Sequence, residues 1–372
     1  MSAELETCIL EEAAGAFATD GKVVSCERYG SGHINDTFKL VCGRPYILQR
    51  MNDDIFKDPV SLMKNIEGVT TFLRQEVIRH GGDPDRETLN LIKTRDGGTF
   101  YVDSKGNYWR MYLFIEGATC YNLVEKPEDF YQSGKAFGHF QRLLSKYPAR
   151  ELSETIPGFH DTPKRFERFK KVVEQDICHR AAGVQEEIRF VMDRGADMGL
   201  AMDMLEKGEL PIRVTHNDTK LNNIMIDDKS GEAICIIDLD TVMPGLSIFD
   251  FGDSIRFGAN TAEEDETDLS KVSLSLPLFE IYTKGFLEGC AGSLTEKEVR
   301  MLPQGARLMT LECGMRFLTD YLEGDTYFKI HREHHNLERA RSQFKLVSDM
   351  EQKWCHMERM VREAAGQAAA SV

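Results

Sequence analysis

The stretch of residues 214–226 constrains what this chain can fold into more than any other, because it sets polar side chains between apolar runs. An apolar run precedes His216, a second ends at Met225 and Ile226, and a third covers residues 234–237. Short runs of this kind, bounded by Asp, Lys, Ser and Gly, are typical of buried β-strands. The polar residues between the runs are therefore expected at strand ends, where a rigid scaffold can present them.

Three of these polar residues have the types and the order that phosphoryl transfer requires. The reaction needs a carboxylate that orients a hydroxyl nucleophile and oxygen ligands that hold Mg²⁺ against the phosphates. Asp218 and Asn223 have the spacing of the Asp and Asn of a kinase catalytic loop, and Asp238 ends the next apolar run. In the alternative interpretation, His216 and the acids only cap turns between core strands.

The same residues carry a resemblance to a known family. From His216 through Asp240 the chain resembles the catalytic loop and the following metal-binding strand of the aminoglycoside phosphotransferase and choline kinase superfamily. Within that superfamily it closely resembles the N-acetylhexosamine 1-kinases. The segments that carry this closer similarity are residues 32–35, 215–223, 237–245, 250–258, 312–318 and 320–325.

The resemblance implies an α+β class and a protein-kinase-like bilobal fold. A small N-lobe, rich in antiparallel β-structure, is expected at residues 1–116, and a larger, mostly helical C-lobe at residues 117–372. Within the N-lobe, apolar residues recur at helical spacing over residues 60–77. The short runs that predict its sheet lie at residues 23–29, 37–41, 45–49, 100–102 and 108–115.

The resemblance also implies an activity, namely ATP-dependent phosphorylation of the anomeric hydroxyl of N-acetylglucosamine or N-acetylgalactosamine. In that reaction Asp218 is the catalytic base, and Asn223 and Asp238 bind Mg²⁺. Other acceptors stay open, since relatives phosphorylate aminoglycosides, choline, homoserine or other sugars. A metal-dependent hydrolase would have no need of a glycine-turn lobe ahead of the acids. An inactive kinase-like binding protein would be expected to have lost one of the three residues.

A glycine-rich turn lies between the first two predicted strands. Gly30 and Gly32 could let backbone N–H groups approach the phosphates of ATP. An ordinary hairpin turn is the alternative from the residues alone, and the resemblance favours the phosphate-binding turn. His33 is a candidate substrate contact, because the related hexosamine kinases carry the same Gly-His-Ile-Asn segment.

The third predicted strand departs from the usual kinase pattern. Many kinases place a phosphate-binding lysine there, paired with a glutamate on the helix, whereas this chain offers Gln49 or Arg50. Gln49 is neutral, and Arg50 points to the opposite face if the strand is regular. Either a bulge presents Arg50 to the phosphates, or Gln49 faces the nucleotide. In the second case, which we predict, Mg²⁺ and the turn at residues 30–33 neutralise most of the phosphate charge. Glu67 is the helix candidate for the missing ion pair.

Residues 109–117 resemble the strand that leads from one kinase lobe into the other. Adenine is expected to hydrogen-bond backbone groups of Phe114, Ile115 and Glu116. Beyond Gly117 the apolar residues recur three or four apart, which predicts amphipathic helices. These helices are expected at residues 130–147, 164–174, 186–207, 271–287, 296–322 and 336–365.

Substrate residues are expected on and after the helix at residues 296–322. Arg316, Tyr321 and Tyr327 could supply a hydrogen-bonding cation and aromatic surfaces for a neutral polyol. Residues 250–252 spell Asp-Phe-Gly, the metal motif of protein kinases, yet they follow the better placed Asp238. In the superfamily the later Asp supports the catalytic loop, and Asp250 is predicted to do the same.

Composition and charge limit the partners. A formal net charge of −15 argues against nucleic acid, for which a basic face would be expected. No apolar run approaches the roughly 20 residues of a membrane span, and the start lacks the features of a signal peptide. We expect a cytoplasmic protein whose partners are ATP and a small sugar. The nine cysteines, without a C-x-x-C pair, are expected to be reduced.

Overall fold

The computed structural model describes residues 3–30, 34–121, 124 and 126–370, with side chains from residue 8 onward. The chain divides into two compact units. The first consists of Met1–Thr119, Lys146–Pro157 and Met225–Met243. The second consists of Cys120–Ser145, Gly158–Ile224 and Pro244–Val372.

A five-stranded antiparallel sheet forms the centre of the first unit. Its strand order is β1-β2-β3-β5-β4. Each predicted run overlaps one of these strands. The second and third strands extend one residue beyond their runs at each end, and the other three runs are longer than their strands. The strands are β1 (Ser25–Arg28), β2 (Asp36–Cys42), β3 (Arg44–Arg50), β4 (Tyr101–Val102) and β5 (Tyr108–Leu113).

Two helices accompany this sheet. The predicted helix is α2 (Pro59–Arg79), which starts where the Asp58 side chain accepts a hydrogen bond from the Ser61 N–H and where proline occupies the first turn. The helix α1 (Ala3–Ala16) was not predicted from the sequence. It contributes Ile9 and Ala13 to the buried cluster that also holds sheet residues, so tertiary packing rather than a long apolar stripe stabilises it.

A smaller sheet completes the first unit, in the order β6-β8-β9. It consists of β6 (Ala118–Thr119), β8 (Ile224–Asp227) and β9 (Ala233–Ile236). The strands β8 and β9 confirm the second and third apolar runs, which lie between Asn223 and Asp238. The lobe boundary at residue 116 stays a prediction. Compactness divides the chain differently, because β6 pairs with β8 and so joins residues 225–243 to the first unit.

The second unit is mostly helical. A two-stranded sheet of β7 (Arg213–Thr215) and β10 (Met243–Gly245) accompanies the helices. The helices are α3 (Pro127–Leu143), α4 (Thr162–Gln175), α5 (Gln185–Asp193), α6 (Leu200–Glu206), α7 (Ser247–Gly258), α8 (Leu276–Cys290), α9 (Glu296–Leu322), α10 (His335–Gln352) and α11 (Trp354–Ala370).

The predicted helix boundaries are right for some helices and wrong for others. The range predicted for α9 is confirmed, with Thr295 as the N-cap. Residues 186–207 form two helices instead of one, because a short 3₁₀ turn interrupts them. Residues 336–365 likewise form two helices, and α8 begins at Leu276 because Ser275 caps it and proline occupies its first turn.

Glycines allow α3 and α8 to approach each other at backbone distance. A Cβ atom added to Gly138 would lie 2.1 Å from the carbonyl oxygen of Phe286, and one added to Gly285 would lie 2.3 Å from that of Tyr131. These positions tolerate no side chain without movement of the helices. Among the described residues, no helix combines the length and the apolar character that a membrane span needs.

Candidate active site

Asp218 and Asn223 lie together in the catalytic loop, by which we mean residues 216–223 between β7 and β8. The Asn223 side-chain amide donates hydrogen bonds to the Asp218 carbonyl oxygen (2.9 Å) and to its carboxylate (3.1 Å). The Asp218 side chain is 29% exposed, so a substrate hydroxyl can reach it. The structure thus joins two of the three residues that the sequence singles out.

Lys220 is a member of this site that the sequence analysis missed. Its ammonium nitrogen lies 2.8 Å from the Asp218 carboxylate. Burial opposes the charge of the ammonium, but the Asp218 carboxylate raises the pKa of Lys220 above its usual value. The available signal was a cation two residues after the predicted base. A lysine held in this place can stabilise negative charge that develops on a transferred phosphoryl group.

Asp250 holds the backbone of the catalytic loop. Its carboxylate accepts hydrogen bonds from the N–H groups of His216 (2.9 Å) and Asn217 (2.8 Å), and from the Gln141 side chain (2.9 Å). It is fully buried on α7, and burial raises its pKa. Asn217 has a left-handed conformation with φ of 63°. The supporting role predicted for Asp250 is therefore confirmed.

Asp253 anchors the next residue of the loop. It accepts a hydrogen bond from the Thr219 N–H (3.1 Å), and the Arg256 guanidinium binds its other oxygen at 2.9 Å. Burial alone would raise the pKa of Asp253, but the charges of Arg256 and Lys220 lower it. Thr219 also donates its hydroxyl to the Asp250 carbonyl oxygen (2.7 Å). The loop is thus fixed from α7 at three residues, His216, Asn217 and Thr219.

Asp238 belongs to the first unit, where it begins the turn after β9. Its backbone is left-handed, with φ and ψ both 59°, a conformation that non-glycine residues adopt at a cost of about 1 kcal/mol. A short 3₁₀ turn, Leu239–Thr241, follows directly. Asp240 in this turn is 3% exposed and forms an ion pair with Arg110. Neither Asp240 nor Arg110 was among the predicted site residues.

Asn223 and Asp238 each carry an oxygen atom of the kind that Mg²⁺ takes as a ligand. Mg²⁺ takes oxygen ligands and is usually held by one or two protein side chains plus phosphate oxygens and water. The Asn223 amide nitrogen is engaged by Asp218, which leaves the amide oxygen as its ligand atom. Among the described residues, no group of three or more His, Cys, Asp or Glu side chains could hold a metal ion.

The structure describes some, but not all, of the residues that the sequence predicts beside the nucleotide. Gly30 has φ of 75° and open space around it, as a turn glycine should. Gly32 and His33 lie outside the described residues. Gln49 donates to the Thr37 hydroxyl (3.0 Å) and accepts a hydrogen bond from Arg110 (3.0 Å), so it faces a buried cation.

The two other charged candidates for the missing kinase ion pair have partners of their own. The strand register is unbroken through Arg50, which binds Asp36. Glu67 pairs with Lys93 at the surface. Arg50 and Glu67 therefore do not form with each other the ion pair that a lysine and a glutamate form in many kinases.

The segment after β5 offers a backbone edge. The Phe114 N–H donates to the Pro45 carbonyl oxygen (3.2 Å), and the Glu116 carbonyl oxygen accepts from Arg86 (2.6 Å). Between them, the N–H of Ile115 makes no hydrogen bond to any residue that the structure describes. An unpaired donor beside a strand end suits a base edge such as that of adenine.

Arg316 lies between two aromatic rings of the second unit. Its guanidinium carbon is 5.4 Å from the ring centres of both Phe159 and Phe328. Tyr327 is exposed and its ring contacts that of Phe328 at 4.8 Å. Tyr321 is different: it is 6% exposed and belongs to the helical core, with Arg180 over its ring. The structure thus groups Arg316 with Tyr327 and leaves Tyr321 apart.

A buried acid lies one helical turn from Arg316. Glu312 accepts hydrogen bonds from His160 (2.9 Å) and Thr162, and Arg165 lies 3.7 Å away. Burial alone would raise its pKa, but the charges of His160, Arg165 and Arg316 lower the pKa of Glu312 to about 2. The other ring nitrogen of His160 is buried and has no partner among the described residues. No sequence signal joins positions 152 residues apart.

The fold and this site define a class: a kinase-like phosphotransferase with a loop carboxylate, an adjacent lysine and an amide ligand. The family described as "Phosphotransferase enzyme family" (APH) matches residues 25–270 of the chain. The chain belongs to this family.

Solved structures share the fold at low sequence identity. An aminoglycoside phosphotransferase from Alicyclobacillus acidocaldarius is 10% identical with a TM-score of 0.60, covering 97% of this chain and 96% of its own. An amicoumacin kinase, solved with AMP-PNP, Ca²⁺ and Ami, is 12% identical at TM-score 0.57, covering 95% and 96%. A choline kinase from Cryptosporidium parvum is 12% identical at TM-score 0.54, covering 95% and 97%. These similarities confirm the kinase-like bilobal fold.

Proposed function

We propose that this chain is an ATP- and Mg²⁺-dependent kinase that phosphorylates the anomeric hydroxyl of N-acetylglucosamine or N-acetylgalactosamine. The products are the sugar 1-phosphate and ADP, and the reaction takes place in the cytoplasm. The observation that carries a kinase function is the Asp218 carboxylate, held between Lys220 and Asn223 on a loop anchored by α7. The acceptor rests on the resemblance of the motifs and on the charges described below.

Asp218 acts on the acceptor. The anomeric oxygen attacks the γ-phosphorus, the bond from that phosphorus to the β-phosphate oxygen breaks, and the hydroxyl proton passes to the Asp218 carboxylate. An anomeric hydroxyl is more acidic than an ordinary alcohol, so a carboxylate is an adequate base in a loose transition state. Lys220 keeps Asp218 in place and adds a positive charge beside the reacting oxygen.

Asn223 and Asp238 would hold the Mg²⁺, which neutralises phosphate charge when bound. Adenine would take the backbone edge around Ile115, with Phe114 and Glu116 on either side. Gly30 and Gly32 would approach the phosphates. Two of these assignments, Asp238 as a ligand and the glycine turn, rest on the sequence pattern alone.

The charges around Arg316 favour a neutral acceptor over a cationic one. The pKa of Arg165 is lowered by burial and then by the charge of Arg316. Choline sites instead surround a cation with aromatic faces and without competing guanidinium groups. A buried polar surface can reject a sugar that lacks the acetamido group, because its own donors would stay unpaired. Arg316 and Tyr327 are the described candidates for that recognition, with His33 and Tyr321 as further predicted contacts.

The test is an acceptor panel. The enzyme is incubated with Mg-ATP and, in separate reactions, N-acetylglucosamine, N-acetylgalactosamine, glucosamine, choline and an aminoglycoside. Phosphorus–proton coupling in NMR then locates the phosphate. We expect a 1-phosphate from the two N-acetylhexosamines and little turnover of the amines. Phosphate on carbon six, or turnover of choline while both N-acetylhexosamines stay untouched, would overturn the acceptor assignment and leave a kinase for another small molecule.

A further inference from the structure

One row of polar side chains crosses the sheet of the first unit. Thr37 on β2 lies opposite Gln49 on β3, and Gln49 lies opposite Arg110 on β5. Residues directly opposite each other in antiparallel strands share one face of the sheet. Arg110 donates to the Gln49 side-chain oxygen at 3.0 Å, and Gln49 donates to the Thr37 hydroxyl at 3.0 Å. The neutral glutamine therefore orients an arginine on β5, the strand next to the edge strand β4.

At the end of this row, Arg110 contacts the turn that begins at Asp238. Its guanidinium forms an ion pair with Asp240, whose other carboxylate oxygen accepts a hydrogen bond from the Asn35 amide at 2.7 Å. The same turn is held from α2, because the Asn65 amide donates to the Val242 carbonyl oxygen at 3.1 Å. Asp240 is thus held at both carboxylate oxygens, two residues after the left-handed backbone of Asp238.

The Arg110–Asp240 pair is expensive to bury. Arg110 is 1% exposed and Asp240 3%, and two ions removed from water each lose several kcal/mol of hydration. A pair of apolar residues would stabilise such a place at least as well. Stability alone therefore does not explain why these two charges are buried here. Burial opposes the charge of Arg110, but the charges of Asp240 and Asp238 raise its pKa, and Asp238 lies two residues before Asp240.

We propose that Arg110 is a positioning residue that takes the place of the missing strand lysine. It acts through Asp240: by fixing that carboxylate it sets the turn that presents Asp238 to the Mg²⁺ of a bound nucleotide. The guanidinium does so from β5, the strand that neighbours β3, where the lysine of other kinases lies. This inference rests on the proposed function, because it requires that the chain bind Mg-ATP.

The test measures nucleotide binding by calorimetry on the full chain, without acceptor. AMP-PNP is titrated once with Mg²⁺ and once with EDTA. The ratio of the Kd in EDTA to the Kd with Mg²⁺ gives the factor by which the metal strengthens nucleotide binding. Arg110→Met and Arg110→Lys are compared with Arg44→Met, a control that removes a half-exposed arginine of β3 paired with Asp20. Groups that orient a metal ligand typically change metal affinity by about 10- to 100-fold.

We expect Arg110→Met to reduce that ratio by about 10- to 100-fold while the Kd in EDTA stays close to that of the unmodified chain. Arg110→Lys should recover part of it, because lysine keeps the charge but lacks the fork that reaches Gln49 and Asp240 together. Arg44→Met should leave the ratio unchanged. If Arg110→Met fails to fold, Asn35→Ala, which removes the other hold on Asp240, carries the same test with a smaller reduction.

Two results would contradict the positioning role of Arg110, and a third would contradict the proposed function. An unchanged ratio in Arg110→Met or, if that variant is unfolded, in Asn35→Ala, would overturn the positioning role and leave the kinase function standing. Equal losses of affinity with and without Mg²⁺ would also overturn it, because they indicate general damage to the unit. A native chain that binds AMP-PNP neither with nor without Mg²⁺ would overturn the proposed function itself.

Discussion

Replacing Asp250 tests whether α7 holds the catalytic loop. The Asp250 carboxylate accepts from two backbone N–H groups and one side chain, all within 2.9 Å, and it is fully buried. Asparagine keeps the shape but turns one of the two acceptor oxygens into a donor, so at least one buried N–H of the loop loses its partner. Leaving one such group unsatisfied costs about 1 to 3 kcal/mol.

Alanine removes both oxygens. The N–H groups of His216 and Asn217 then both lose the acceptor that Asp250 provides, whereas Gln141 keeps its second bond, to the Val214 carbonyl oxygen. We therefore expect Asp250→Ala to lower the free energy of unfolding by about 2 to 6 kcal/mol, twice the loss in Asp250→Asn. The catalytic loop should shift, and misplacement of a reacting group by about 1 Å can reduce the rate about 100-fold.

The assay pairs urea unfolding with steady-state kinetics. The free energy of unfolding is compared at constant dependence on urea, and kcat is measured with Mg-ATP and N-acetylglucosamine. Asp193→Asn, an exposed aspartate at the end of α5, is the matched control and should change neither quantity. The reasoning is refuted if Asp250→Asn keeps the stability and kcat of the native chain, or if alanine is no more harmful than asparagine.

Three further outcomes are expected. The pKa of Glu312 is depressed from 4.5 to about 2, so its contribution to the free energy of unfolding is present above pH 4.5 and is lost as the pH falls toward 2. The stability difference between the native chain and Glu312→Gln, measured by urea unfolding at several pH values, should therefore shrink over that range. A constant difference would contradict the lowered pKa of Glu312. Gly138→Ala should lower the melting temperature by several degrees, since its Cβ meets the Phe286 carbonyl oxygen, whereas Gly183→Ala, with open space around it, should not. Gln49→Ala should reduce kcat less than Arg110→Met, because Arg110 keeps its bond to Asp240; a loss in Gln49→Ala as large as that in Arg110→Met would contradict this expectation.

Local patterns predicted the sheet and the loop well, because their information lies within a few residues. The alternation in β2 and β3 and the cap of α9 at Thr295 depend on neighbours in the sequence. The break after α5 was missed, since the apolar periodicity continues through it and only glycines at positions 195 and 199 mark the interruption.

Partners distant in the sequence could not be predicted in the same way. Arg110 and Asp240 are 130 residues apart, and His160 and Glu312 are 152 apart. Nothing in the periodicity around Arg110 distinguishes a buried, paired arginine from one on the solvated face of a strand. Lys220 is the exception, because its position two residues after Asp218 lay within the motif already identified.

Asp218 is the residue that we propose as the base of a phosphoryl transfer to a sugar hydroxyl. The most direct test is single-turnover formation of sugar 1-phosphate from Mg-ATP and N-acetylglucosamine, followed by ³¹P NMR, in the native chain, Asp218→Asn and the control Asp193→Asn. We expect Asp218→Asn to form the 1-phosphate about 100-fold or more slowly while AMP-PNP binds with nearly unchanged Kd, and we expect Asp193→Asn to behave as the native chain. Near-native formation of the 1-phosphate by Asp218→Asn would contradict the role of Asp218 as the base.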